Sequence, residues 1–211
     1  MTGRPGRFVA LEGGEGVGKS TQGRMLVEAL RAMDLDVVTT REPGGTPGAE
    51  AIRAMLLTTE GEGWGARAEA LLFAAARADH VEKLIRPAVS RGAWVVCDRF
   101  VDSSRAYQGG GGGLSDDDVM ELHRIGSEGL LPDLTILLTV PPEVAARRLA
   151  ARDGGASDRI EGRGAEYHAR VADAFKRFAD ESPDRFAVVA ADGTPDQVHG
   201  RIMASLARLL P

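Results

Sequence analysis

An apolar run at residues 8–11 leads into Gly13-Gly14-Glu15-Gly16-Val17-Gly18-Lys19-Ser20, a G-x-x-x-x-G-K-S pattern, and helical periodicity begins at Lys19. A strand, a glycine loop and a helix start in that order leave few architectures open. The glycines let successive backbone N–H groups turn inward around an anion, and the helix that follows aims the positive end of its dipole at the same place. Lys19 then reaches the outer oxygens of a bound polyphosphate, and the Ser20 hydroxyl is placed to ligate Mg²⁺. Lysine is scarce: of 26 basic residues only Lys19, Lys83 and Lys176 are lysines, so the loop lysine stands out against an arginine background. The competing reading is a glycine-rich turn with a stray lysine.

Further apolar runs at 37–39, 94–97, 134–140 and 186–189 have the look of strands buried on both faces. Helical spacing of apolar residues marks 19–33, 66–90, 115–128, 142–152, 165–180 and 195–209. The order β-α-β-α-α-β-α-β-α-α-β-α predicts an α/β fold with a five-stranded parallel sheet, right-handed crossovers and helices on both faces. With the glycine loop after the first strand, that is the three-layer P-loop NTPase fold. The 211 residues fit one domain, 1–211. A net charge of -5 argues against a general nucleic-acid binder, which needs excess cations to displace counterions. A lone cysteine, Cys97, allows no internal disulfide and fits a reducing compartment. The polar N-terminus is not expected to act as a leader peptide, and no run approaches the ~20 apolar residues of a membrane span. The expected location is the cytoplasm, with no nucleic-acid or membrane partner.

Asp98 and Arg99 end the run at 94–97, on the edge where open parallel sheets bind ligands. Asp98 suits Mg²⁺ or its water and Arg99 suits a phosphate, since a guanidinium offers paired donors; a surface ion pair gives the same letters. Gly109–Gly113 and Gly154–Gly155 read as mobile loops. The polar stretch 151–164 carries Arg152, Arg159 and Arg163 and reads either as a lid that brings cations onto a transferring group or as a solvated loop pairing them with Asp153, Asp158 and Glu161.

Five blocks taken in order resemble the bacterial thymidylate kinase family over residues 8 to about 179. They are Glu12-Gly13-Gly14-Glu15-Gly16-Val17-Gly18-Lys19-Ser20-Thr21; Thr40-Arg41-Glu42-Pro43-Gly44-Gly45-Thr46; Leu71-Leu72-Phe73-Ala74-Ala75-Ala76-Arg77; Asp98-Arg99-Phe100 with Ser103-Ser104 and Ala106-Tyr107-Gln108-Gly109; and Asp158-Arg159-Ile160-Glu161. The resemblance implies transfer of the γ-phosphoryl group of ATP, with Mg²⁺, to thymidine monophosphate (dTMP). It gives ATP the loop from Gly13 to Thr21, and places Arg148 by the adenine. It gives dTMP a stacking ring in Phe73, base-reading groups in Arg77, Ser104 and Gln108, a sugar boundary in Tyr107 and Glu15, and phosphate ligands in Arg53 and Arg99. Glu15, acidic within a phosphate loop, suits a deoxyribose hydroxyl or an acceptor organised through Arg99. Members lacking a basic residue at Glu15–Val17 look to the lid for catalytic cations, which nominates Arg152 and Arg159 beside Lys19. Where similar proteins carry an arginine within the glycine run, this chain has Gly112, so that cation's part is either lost here or moved to Arg105 or Arg163. Similar proteins pair as homodimers, here through 66–90 and 115–128. The alternatives are another P-loop nucleotide or nucleoside kinase, separated by the base-reading residues, and a nucleotide-operated switch that transfers nothing.

Overall fold

The structure is a computed structural model that describes residues 6–58, 63–151 and 162–211. Among these, five parallel strands, β1 (Arg7–Glu12), β2 (Val37–Arg41), β3 (Trp94–Asp98), β4 (Leu134–Thr139) and β5 (Phe186–Ala190), lie in the order β2-β3-β1-β4-β5. The α/β class and the parallel five-stranded sheet expected from the sequence hold. Every pairing is parallel, with Leu11 opposite Asp98 on one side of β1 and Ile136 on the other. Alternate residues of β1 serve two cores: Val9 and Leu11 join Leu26, Leu30, Trp94, Val96 and Ile202, while Phe8 and Ala10 join Ile85, Val95, Cys97 and Phe100. Burial on both faces is why the strands read as apolar runs rather than alternating ones.

Helices α1 (Lys19–Ala32) and α9 (Pro195–Ser205) cover the first of these faces. Thr194 opens α9 with a capping box closed by Gln197. Between β2 and β3 lie α2 (Pro47–Thr58), α3 (Ala66–His80), a π-helical turn (Val81–Ile85) and α4 (Arg86–Ser90). The expected continuous helix 66–90 is thus interrupted, just ahead of Pro87, which has no N–H to return to the preceding turn. Helix α2 begins at Pro47 after Thr46, whose hydroxyl accepts from the Ala49 amide at 3.2 Å. Beyond β3 come α5 (Val101–Ser104), a second π-helical turn (Arg105–Gly111) and α6 (Asp116–Ser127); α7 (Pro142–Ala150) and α8 (Ala165–Glu181) follow β4.

The reading of Gly109–Gly113 as a mobile loop is corrected, because Gly109 to Gly111 belong to the second π-helical turn, packed against α8. A Cβ at Gly111 would stand 2.5 Å from the Tyr167 ring. Close approach of two helices, not flexibility, accounts for that glycine.

His123, on α6, is buried edge-on against Phe100, and its Nε2 pairs with the Leu130 carbonyl at 2.8 Å. Burial first, then Arg77, pushes its pKa down to about 4. The folded protein therefore holds it neutral, while the unfolded chain protonates near 6.5. Its stabilising effect is present above that value and is lost as pH falls toward 4, by up to about 3 kcal/mol. Buried Glu12, raised to about 7, titrates in the opposite sense, so the informative quantity is a difference. In thermal melts, His123→Leu should gain on wild type as pH falls from 6.5 to 4; a constant gap between the two would refute the assignment.

Candidate active site

The glycine loop joins β1 to α1. Gly18 caps the helix at φ +99°, a conformation that favours glycine, and Lys19 turns back so that its Nζ donates to the Gly13 carbonyl at 3.0 Å and the Gly14 carbonyl at 2.8 Å. Burial, with Arg99 adding to it, lowers the Lys19 pKa to about 8 against the pull of Glu15, Asp98 and Glu12. An ammonium held at such cost faces outward to the loop, where an anion relieves the cost. Arg148 reaches across from α7 to the Gly16 and Val17 carbonyls at 3.4 and 3.3 Å and to Ala191 at 2.9 Å.

Beside the loop, β3 ends in Asp98. Its Oδ1 is buried and has no hydrogen-bond partner among the described residues, an orphaned acceptor that suits a cation or its water. Arg99 has φ +69°. Its NH1 donates to the Gly13 carbonyl and the Ser103 Oγ, both at 3.2 Å, its NH2 donates to Glu15, and its guanidinium carbon lies 5.0 Å from the Tyr107 ring centre. Burial works against its charge, but Tyr107, Glu15, Glu12 and Asp98 outweigh it and raise the pKa above the usual arginine value.

One cleft of about 570 Å³ is lined by Glu15, Gly16, Gly18, Lys19, Ser20, Thr21, Asp98, Arg99 and Arg148 together with Arg53, Phe73, Arg77, Ser104, Tyr107 and Gln108. The two groups predicted from separate parts of the chain thus share a cavity. Gly13, Gly14 and Val17 line the space alongside it, and Val17 packs into the core. Arg53 holds the Pro43 carbonyl at 2.8 Å. Arg152 and Arg159 lie outside the described residues, as does most of the expected lid. Arg163, in the described end of that stretch, is engaged by Glu69 at 2.7 Å and by the Tyr167 hydroxyl at 2.6 Å.

Three buried acids to which the sequence reading gave no role support these groups. Glu12 Oε1 accepts from the Phe100 and Ser103 amides at 2.8 and 3.0 Å, and Oε2 accepts from the Ser103 hydroxyl at 2.6 Å, which pins the turn that carries Arg99. Its burial drives its pKa up to about 7 despite Arg99. Glu42 takes the Arg77 Nε at 2.8 Å and pairs with His80 Nδ1 at 3.1 Å, while His80 Nε2 meets the Thr40 hydroxyl at 2.7 Å. Arg77 NH2 donates to Ser104 Oγ at 2.8 Å. The third acid, Glu69, accepts from Gln108 Nε2 at 3.0 Å. A signal for Glu69 and for His80 was present: Glu69, Phe73, Arg77 and His80 recur at helical spacing and share one face of α3.

A parallel sheet in this order, a lysine-bearing glycine loop at the carboxyl end of its central strand, and an acid–arginine pair ending the neighbouring strand define a P-loop phosphotransferase of the nucleotide-kinase type. The sequence profile described as thymidylate kinase matches residues 11–202. A thymidylate kinase of Rhizorhabdus wittichii is 58% identical over 207 residues, covering 98% of this chain and 100% of that protein. One from a Bradyrhizobium species is 51% identical over 194 residues, covering 92% and 86%. Among solved structures, thymidylate kinase from Ehrlichia chaffeensis superposes with a TM-score of 0.78 at 29% identity, covering 96% of this chain and 99% of the other. The chain belongs to the thymidylate kinase family.

Proposed function

We infer how this cleft carries out its family's reaction, in which dTMP is phosphorylated to thymidine diphosphate at the expense of ATP. The observation that carries the reading is the sharing of one cavity by the lysine-bearing loop and the set Phe73, Arg77, Ser104 and Gln108, with Arg99 and Glu15 joined between them. The amides of Gly13 to Thr21 and the Lys19 ammonium hold the β- and γ-phosphates of ATP, and Arg148 flanks its adenine. Phe73 stacks on thymine, burying apolar area on both rings. Arg77, Ser104 and Gln108 read the base edge, Tyr107 and Glu15 bound the sugar, and Arg53 and Arg99 hold the acceptor phosphate.

An oxygen of that phosphate forms a bond to the γ-phosphorus as the bond to the β–γ bridging oxygen breaks, leaving ADP. The acceptor is already an oxyanion, so no general base is required; alignment and neutralisation of charge supply the acceleration. Ser20 and Asp98 would hold Mg²⁺, which supplies charge neutralisation at the phosphate oxygens when bound. Arg152 and Arg159 are assigned to the transferred group from the resemblance alone. Exposed Leu71 on α3 and Ile125 on α6 support pairing of two chains through those helices. No helix among the described residues is long and apolar enough to cross a membrane; a cytoplasmic setting and a single kinase domain belong to this proposal.

A coupled assay of ADP release should give turnover with dTMP that exceeds dCMP, dGMP and shikimate by about a hundredfold or more in kcat/KM. Equal turnover with any of these would transfer the assignment to a different P-loop kinase, and MgATP binding without product from any acceptor would indicate a switch.

A further inference from the structure

Glu69, 1% exposed, lies behind Gln108 in the wall of the cleft. Its Oε1 accepts from Gln108 Nε2 at 3.0 Å and its Oε2 from Arg163 NH2 at 2.7 Å. A carboxylate has acceptors only, so it settles which end of the Gln108 amide faces it: the opposite flip would set two acceptor oxygens against each other in a dry site. The amide nitrogen is therefore turned to α3, and Gln108 Oε1 takes no hydrogen bond from any described residue. Gln108 lines the cleft. Arg77, about two turns along α3 from Glu69, also lines the cleft; its Nε and NH2 are committed to Glu42 and Ser104, and its NH1 has no acceptor among the described residues. The wall so built presents a donor from Arg77 and an acceptor from Gln108.

We propose that Glu69 is a specificity-determining positioning residue, which fixes the polarity of the Gln108 amide so that the cleft accepts a pyrimidine whose edge offers a carbonyl beside a ring N–H, and disfavours one offering an amine beside a bare ring nitrogen. Thymine and uracil have the first pattern and cytosine the second. Arg163 completes the arrangement. Its second nitrogen donates to the Tyr167 hydroxyl at 2.6 Å, and that hydroxyl donates to the Tyr107 carbonyl at 2.8 Å, so one guanidinium braces the carboxylate behind the Gln108 side chain and the peptide ahead of it. Arg163 also stands at the exit of the 151–164 stretch, and its engagement there ties that end of the stretch to the acceptor side of the cleft.

This inference rests on the reading that Gln108 meets the base, and the experiment separates the two. Affinities of the full chain for dTMP and dCMP are measured by calorimetry, with steady-state kinetics alongside, for wild type, Glu69→Gln, Gln108→Leu and the double variant. A glutamine at 69 both donates and accepts, so it no longer selects one flip. Glu69→Gln should raise Kd and KM for dTMP about tenfold, leave kcat within about threefold, and shrink the preference for dTMP over dCMP about tenfold. In the Gln108→Leu background the same change should have no further effect on that preference. An unchanged dTMP/dCMP ratio in Glu69→Gln overturns the proposal while Gln108→Leu still weakens dTMP; a Gln108→Leu protein with wild-type affinity and ratio overturns the base-reading assignment instead. Should Glu69→Gln fail to fold, Arg163→Met, which removes the brace from outside the core, should shift the ratio in the same direction, and a wild-type ratio there would equally overturn it.

Discussion

Replacing Lys19 with methionine should lower kcat about a thousandfold while the protein still melts cooperatively near the wild-type temperature. The two halves of that expectation come from one geometry. The Lys19 ammonium contacts the Gly13 and Gly14 carbonyls of its own loop, and its burial lowers its pKa to about 8, so the fold gains little from the charge. A methionine of similar length keeps the stem packed and removes only the head. In the proposed reading, that head is the lysine facing the phosphates, at a place where negative charge is redistributed as the γ-phosphoryl moves. Circular dichroism melts and single-turnover transfer from ATP to dTMP check the two halves separately. A variant with normal kcat would remove the glycine loop from the phosphate site altogether.

The glycine loop was legible because its function imposes a local pattern: anion binding by consecutive amides needs glycines, a lysine and a helix start within eight residues, and all of these are adjacent in the chain. The strands were legible for a similar reason, since two-sided burial leaves an uninterrupted apolar run, as in Phe8-Val9-Ala10-Leu11. Glu12, Glu42 and Glu69 were not. Each is an acid whose role depends on a partner far along the chain: Ser103 for Glu12, Arg77 for Glu42, and Gln108 and Arg163 for Glu69. Nothing local distinguishes such a carboxylate from one on a solvated face; only the spacing of Glu69, Phe73, Arg77 and His80 on α3 hinted at a shared face. The glycines at 109–111 misled for the converse reason. Composition alone suggests freedom, whereas at Gly110 and Gly111 absent side chains let α8 pack close, and Tyr167, the ring against Gly111, is more than fifty residues away.

Arg99→Met should cut kcat/KM for dTMP by about a thousandfold, and Arg99→Lys should recover less than a tenth of the loss. The side chain touches the carbonyl of Gly13 in the phosphate loop, the hydroxyl of Ser103 on α5 and the carboxylate of Glu15, so it links the ATP side of the cleft to the acceptor side. A planar guanidinium meets these three in one plane of donors; an ammonium on a shorter stem is a single point that cannot span them. The backbone is prepared for it as well. Arg99 holds φ +69°, its amide donates to the Leu11 carbonyl at 2.9 Å, and the next residues are pinned by Glu12 through the Phe100 and Ser103 amides. A left-handed conformation at a residue with a full side chain costs on the order of 1 kcal/mol and persists only where the surroundings enforce it, which marks this turn as one built to aim the arginine. The loss should divide between the two constants, KM for dTMP rising because a phosphate ligand is gone and kcat falling because acceptor and donor are no longer aligned. Loss of the Arg99 cation beside the Glu15 carboxylate should make the fall in kcat deeper than removal of a phosphate ligand alone, and Glu15→Gln in the Arg99→Met background should restore part of it. If Arg99→Met raised KM but left kcat untouched, the arginine would be a ligand of the acceptor and nothing more, and the link it makes to Gly13 and Glu15 would have no part in transfer.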